Sequence, residues 1–136
     1  MRKLLFILIY FMAFSNVKAQ SEESIPTVSG DTKLYNSAGI EVKPEFKGGL
    51  NKFYEYISKN YRTPEVQGLK GKLLISFIVE KDGSIADIKV LKDIGYGTAE
   101  EAIRILKNCP KWTPAEQQGK KVRCAFMLPL NIQSAY

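Results

Sequence analysis

Lys72-Leu73-Leu74-Ile75-Ser76-Phe77-Ile78-Val79-Glu80-Lys81-Asp82-Gly83-Ser84-Ile85-Ala86-Asp87-Ile88-Lys89-Val90-Leu91-Lys92 is the stretch that decides the fold. Asp82-Gly83 at its middle signals a hairpin, because a two-residue type I′ turn needs positive φ at both positions. A loop placed there pairs Lys81 with Ser84. It carries Val79 onto Ala86, Phe77 onto Ile88 and Ile75 onto Val90. All six side chains are apolar and share one face. A slip of one residue would bring Asp87 and Lys89 onto that face, so turn and pattern agree on one register. A ribbon with a single apolar face needs cover.

The cover stands on either side in the chain. Gly48-Gly49 opens a helical stretch with Leu50, Phe53, Tyr54, Ile57 and Tyr61 in one stripe, and Lys52, Glu55 and Lys59 turned away. Pro64 marks its end, since a residue before proline avoids the helical region. Thr98, with Glu101 three residues on, reads as a capping box. The second helix follows with Ala99, Ala102, Ile103, Leu106 and Cys109 inward, and Pro110 stops it. Alternation of Val122, Cys124, Phe126, Leu128 and Leu130 then marks a last strand over about 121–132. The order α-β-β-α-β predicts an α+β two-layer sandwich. Its three-stranded antiparallel sheet, in the order 2-1-3, is covered by two helices.

The folded domain is expected over 44–136, behind a flexible lead-in over 20–43. Within 33–46, two short extended stretches flank Asn36-Ser37-Ala38-Gly39 and read as a small hairpin. Residues 1–19 have the pattern of a cleaved secretory signal. Arg2 and Lys3 precede an apolar run over 4–14, and Val17 and Ala19 stand at the −3 and −1 positions. As a helix that run would span about 16 Å, against about 30 Å of bilayer hydrocarbon. Cleavage would take three cations from a net charge of +6.

Composition excludes most chemistry. The 136 residues contain no histidine, which removes His-based acid–base work, Ser-His-Asp and Cys-His nucleophiles and His-ligated metals. Two cysteines without a CxxC spacing make neither a four-thiolate zinc site nor a redox pair. Gly95-Tyr96-Gly97 lacks the third glycine of a dinucleotide loop, where Glu100 would repel pyrophosphate. Glu80, Asp82 and Asp87 lack the spacing of a calcium loop. Lys120, Lys121 and Arg123 read as a solvated edge, with pairing to an acidic peptide as the alternative, and a nucleic-acid ligand would need a clustered basic face. The expectation is a protein without metal, cofactor, nucleic-acid partner or enzymatic activity.

An ordered series of motifs carries a resemblance. Pro44-Glu45-Phe46-Lys47-Gly48-Gly49 precedes the first helix and Tyr61-Arg62-Thr63-Pro64 follows it. Gly71-Lys72, Phe77-Ile78-Val79-Glu80-Lys81-Asp82-Gly83-Ser84 and Ile88-Lys89-Val90-Leu91 fill the hairpin. Glu101-Ala102, Pro110-Lys111-Trp112-Thr113-Pro114, Gly119-Lys120-Lys121-Val122-Arg123 and Leu128-Pro129-Leu130 complete it. Residues 44–132 thus resemble the C-terminal domain of TonB-type proteins, in the form of a short exported protein. Ala115 departs from that family's usual glycine.

The resemblance implies a periplasmic module that takes part in energised transmembrane transport. It would grip the TonB box of outer-membrane TonB-dependent transporters by strand addition. The contact would fall on the last strand, at Lys121, Val122, Arg123, Cys124, Ala125, Phe126, Met127 and Leu128. In a sheet of order 2-1-3 that strand has one free side, and Pro129 is tolerated only at such an edge or a strand end. The chain shows no membrane anchor or long proline-rich spacer, so a soluble binding partner, competitor or accessory subunit is expected. The alternative is a structural envelope module that binds peptidoglycan or its own copy, with no transporter partner. Cys109 and Cys124 both fall on core-facing stripes, and a disulfide between them would need Cβ atoms about 4 Å apart. An oxidising compartment favours such a bridge, worth about 3 kcal/mol for a loop of this length. Two small buried thiols are the alternative.

Overall fold

A computed structural model describes residues 32–135. The signal expected over 1–19, and the lead-in up to residue 31, lie outside the described residues. The elements are β1 (Leu34–Asn36), α1 (Leu50–Asn60), β2 (Lys70–Val79), β3 (Ile85–Lys92), α2 (Thr98–Lys107), β4 (Ala115–Gln117) and β5 (Lys120–Gln133). No helix among the described residues is long and apolar enough to cross a membrane.

The strands make one five-stranded sheet in the order β1-β5-β2-β3, with β4 paired to β5 off that path. β2 is antiparallel to both β3 and β5, whereas β1 runs parallel to β5. The expected three-stranded antiparallel sheet is thus corrected to a mixed sheet of five. Two strands of three residues account for the difference. A run so short shows no alternation to read, and the parallel partner of β1 lies nearly the whole domain away. Residues 33–46 do not close on themselves as a small hairpin. Leu34 lies opposite Arg123 and Asn36 opposite Ala125, while Val42 bridges Glu116 and Glu45 bridges Thr113.

The β2–β3 hairpin also turns differently. Gly83 has φ 85°, but Asp82 does not enter the left-handed region. The loop is therefore three residues, 81–83. The Gly83 N–H donates to the Glu80 carbonyl at 2.9 Å, and the Glu80 N–H to the Ser84 carbonyl at 2.8 Å. The ladder opens with Val79 opposite Ile85 rather than Ala86. Asp87, at φ 50°, then inserts a bulge, so that Ile75 does face Val90. One extra loop residue and one bulge residue cancel. No side chain fits at Gly83, because a Cβ there would fall on the Trp112 carbonyl oxygen. The two-residue turn with both φ positive is Gln118-Gly119, between β4 and β5. The Glu41 carboxylate clasps it by accepting the Gln118 N–H at 3.1 Å.

The helices cover one face of the sheet. Phe53 and Ile57 of α1 and Ala99, Ala102, Ile105 and Leu106 of α2 bury against Leu73, Ile75, Phe77 and Val79 of β2 and Leu128, Leu130 and Ile132 of β5. Trp112 stands in an aromatic cluster, with ring centroids 4.7 Å from Phe53, 5.2 Å from Phe126, 5.6 Å from Phe77 and 5.9 Å from Phe46. Edge-on contacts of this kind add about 0.5–1.5 kcal/mol each beyond area burial. Both helical stripes are rotated from expectation. On α1, Leu50 and Tyr54 are exposed (50% and 38%). On α2, Ile105 rather than Ile103 is buried.

The capping box does not form. Gly97 caps α2 in the left-handed conformation, and the buried Thr98 hydroxyl donates to the Gly95 carbonyl at 2.6 Å. Glu101 has better partners in the Arg104 guanidinium and the Arg62 N–H. These bonds, that of Arg104 first, hold its carboxyl below the usual carboxylate range.

Candidate functional site

β5 is the longest strand, and its two sides are treated unequally. On one side Cys124 to Gln133 pair with Val79 to Lys70 without a break in register. On the other, β1 occupies only Arg123, Cys124 and Ala125. The Ser37 N–H donates to the Ala125 carbonyl at 3.3 Å, and the chain then turns away, the Gly39 N–H donating to the Asn36 carbonyl. β4 pairs with Lys120, Lys121 and Val122. From Met127 to Gln133 the side away from β2 has no strand partner among the described residues.

The direction of the free backbone groups follows from alternation. The Ala125 carbonyl points toward β1, so Met127, Pro129, Asn131 and Gln133 point the same way. Ser134 has the opposite parity, and its N–H donates to Leu69, on the β2 side. Pro129 therefore stands where it removes no bond to β2. The open edge offers the N–H groups of Met127, Asn131 and Gln133 and four carbonyls.

Two hollows flank this edge, with α1 beside it. The first, about 550 Å³, has a floor of Phe46, Leu50, Trp112 and Phe126 and a wall of residues 41–45. The second, about 530 Å³, is lined by Tyr54, Ile57, Tyr61 and residues 129–133, with Lys72 at its rim. Tyr61 is fixed there by its hydroxyl, which donates to the Thr98 carbonyl at 2.8 Å. Burial pushes its phenol up to about 12, with the Glu101 charge adding to the shift.

The partner-binding residues expected from sequence all lie on β5, in different surroundings. Lys121 and Val122 are paired to β4, and Cys124 and Ala125 are paired on both sides. Arg123 makes two bonds to the Glu80 carboxylate, at 2.8 and 3.0 Å, and a third to the Thr32 carbonyl. Phe126 packs in the aromatic cluster, Leu128 is buried, and Met127 is exposed. Leu50, Tyr54, Asn131 and Gln133 join the edge and were not singled out. The polar residues alternating with Leu130 and Ile132 were the available signal.

Cys109 and Cys124 are free thiols, not a disulfide. Cys109 packs against the main core, whereas Cys124 sits in a small cluster with Ile40, Ala115 and Val122. Burial pushes both thiols up, which keeps them protonated and poorly nucleophilic. Among the described residues no group of three or more His, Cys, Asp or Glu side chains is placed to hold a metal ion.

Comparison with known proteins converges on one family. Residues 65–131 match the model of the Gram-negative bacterial TonB protein C-terminal. The TonB protein of one Helicobacter pylori strain is 36% identical over 115 residues, covering 79% of this chain and 39% of the relative. That of a second strain is 35% identical over 114 residues, covering 78% and 39%. The chain thus spans about two-fifths of the length of these relatives.

Proposed function

The chain belongs to the TonB C-terminal family, and from that premise we propose that it binds a short extended segment of an outer-membrane transporter by adding it as a strand to β5. The family is one of interaction and energy-transduction proteins, not of enzymes. The reading has this module serve energised transport from the periplasm, reached by the signal over 1–19.

One observation carries it. The side of β5 away from β2, from Met127 to Gln133, is a run of seven residues in unbroken register with no strand partner among the described residues. An extended chain supplies partners for the backbone groups of such a run in the right repeat. The expected contact segment, 121–128, overlaps this run at Met127 and Leu128. Its earlier residues bear β1 and β4 instead.

Amide exchange during titration with a TonB-box peptide tests the reading. Protection is expected at Met127, Asn131 and Gln133. Protection along β3 with none on β5 would reject it.

A further inference from the structure

We propose, resting on the strand-addition reading, that the two hollows beside the β5 edge select a segment carrying apolar side chains four residues apart. A backbone ladder alone reads no side chains, so specificity has to come from what stands next to it. A residue added opposite a β5 residue shares its face of the sheet. Phe126, Leu128, Leu130 and Ile132 face the helices. Every second residue of an added strand therefore turns toward α1.

The start of that strand is fixed by β1. In the observed register Ser37 falls opposite Phe126, and Ser37 itself lines the first hollow. The first helix-facing seat left for a partner is opposite Leu128, beside Phe126 and Leu50. Its apolar and aromatic floor takes an aliphatic or aromatic side chain.

The second seat follows from the run of α1. The helix travels in the same sense as β5, with Leu50 at the first hollow and Tyr54, Ile57 and Tyr61 at the second. Leu50 to Ile57 is seven residues, about 11 Å along a helix axis. Two strand residues span about 7 Å, four about 13 Å and six about 20 Å. Four is the match. The second anchor therefore sits opposite Ile132, against Tyr54, Ile57 and Tyr61. The occupant is an extended polypeptide because the interval between the hollows is edged by the backbone groups of Met127, Pro129 and Asn131. Pro129 has no N–H to give, which leaves the middle of the ladder thin and the anchors correspondingly important.

The test uses the purified protein and capped nine-residue peptides of serine and threonine. One carries leucine at its third and seventh positions, one at its third and sixth, and one has no leucine. Kd and amide protection at Met127, Asn131 and Gln133 are read together. The four-residue spacing is expected to bind about tenfold more tightly than the three-residue spacing, which turns one leucine to the other face. Leu50→Ala and Tyr54→Ala, both at exposed positions, are each expected to remove the advantage of one leucine while leaving the folded spectrum unchanged. Equal affinity at both spacings, with the edge protected, overturns the selection and leaves strand addition standing. No edge protection with any peptide overturns both.

Discussion

Along β3 the sheet ends in Asp87 at φ 50°, a bulge that breaks the ladder, with Lys89 ion-paired to Asp87 at 3.3 Å and Lys92 beyond. Along β5, from Phe126 to Gln133, it ends in an even register with no charged residue and only Pro129 to interrupt the donors. Bulges and inserted lysines are the means by which edge strands resist pairing with other chains. The two edges belong to one sheet and share β2 as neighbour, yet one is closed and the other is left available. Uncharged edges of even register are an aggregation risk unless something covers them. The contrast separates a defended boundary from an undefended one, which is what the proposed strand addition requires.

The contrast can be broken most forcefully on β5 itself. Leu130→Pro deletes a donor that faces β2 and is expected to cost about 3 kcal/mol or more, seen as a lower urea midpoint. Asn131→Pro deletes an outward donor. It is expected to cost less than about 1 kcal/mol while abolishing peptide protection along the edge. Similar midpoints for the two would mean that the outward assignment is wrong.

Alkaline titration probes the wall of the second hollow. Tyr61 deprotonates near 10 when unfolded and at about 12 when folded. Between those values the unfolded chain holds fewer protons, so stability falls as pH rises through that window. Tyr61→Phe is expected to flatten that fall. An unchanged pH profile would remove Tyr61 as its source.

On the closed edge, Asp87→Gly is expected to raise stability by up to about 1 kcal/mol, because glycine accepts positive φ without strain. Lys89→Thr with Lys92→Thr in the same chain is expected to add self-association in sedimentation. A chain that stays as dispersed as before would show that those charges do not guard the edge.

The smallest effect is expected from Arg123→Lys. It exchanges a two-pronged bond to Glu80 for a single charge in a solvent-screened pair, with little change in stability. It also drops the tie to Thr32. The Ser37 amide, which closes β1 onto β5, should then exchange faster. An unchanged rate would show that β1 holds its place without that tie.

Much of this was legible in the chain. Asp82-Gly83, the shared apolar face of Ile75, Phe77 and Val79 and the helical spacing of Phe53 and Ile57 located the hairpin and its cover. Pro129 pointed to a strand with a free side. Other features depend on partners distant in sequence, which no local pattern reports. Leu34–Asn36 is too short for alternation and pairs with residues at the far end of the domain. The rotation of α1 that leaves Leu50 and Tyr54 outside is set by Phe46 and Trp112, which fill the space over Phe53. Glu101 matched a capping box, but the three-residue spacing does not reveal that Arg62 and Arg104 reach it first.

The place of β5 in the chain also sets the tempo of folding. It is the last of the described strands in chain order, yet it lies between β1 and β2, so the sheet cannot close until residues 120–133 have been made. Pairing over such sequence distances is slow, because the entropy of closing the loop is spent before any contact is gained. Until then the β2–β3 hairpin stands with ten residues of β2 bare along one side, Leu73, Ile75, Phe77 and Val79 among them. A chain halted before Lys120 would keep that side bare for good. Refolding yield should therefore fall with protein concentration, and fall furthest in chains truncated ahead of the last strand.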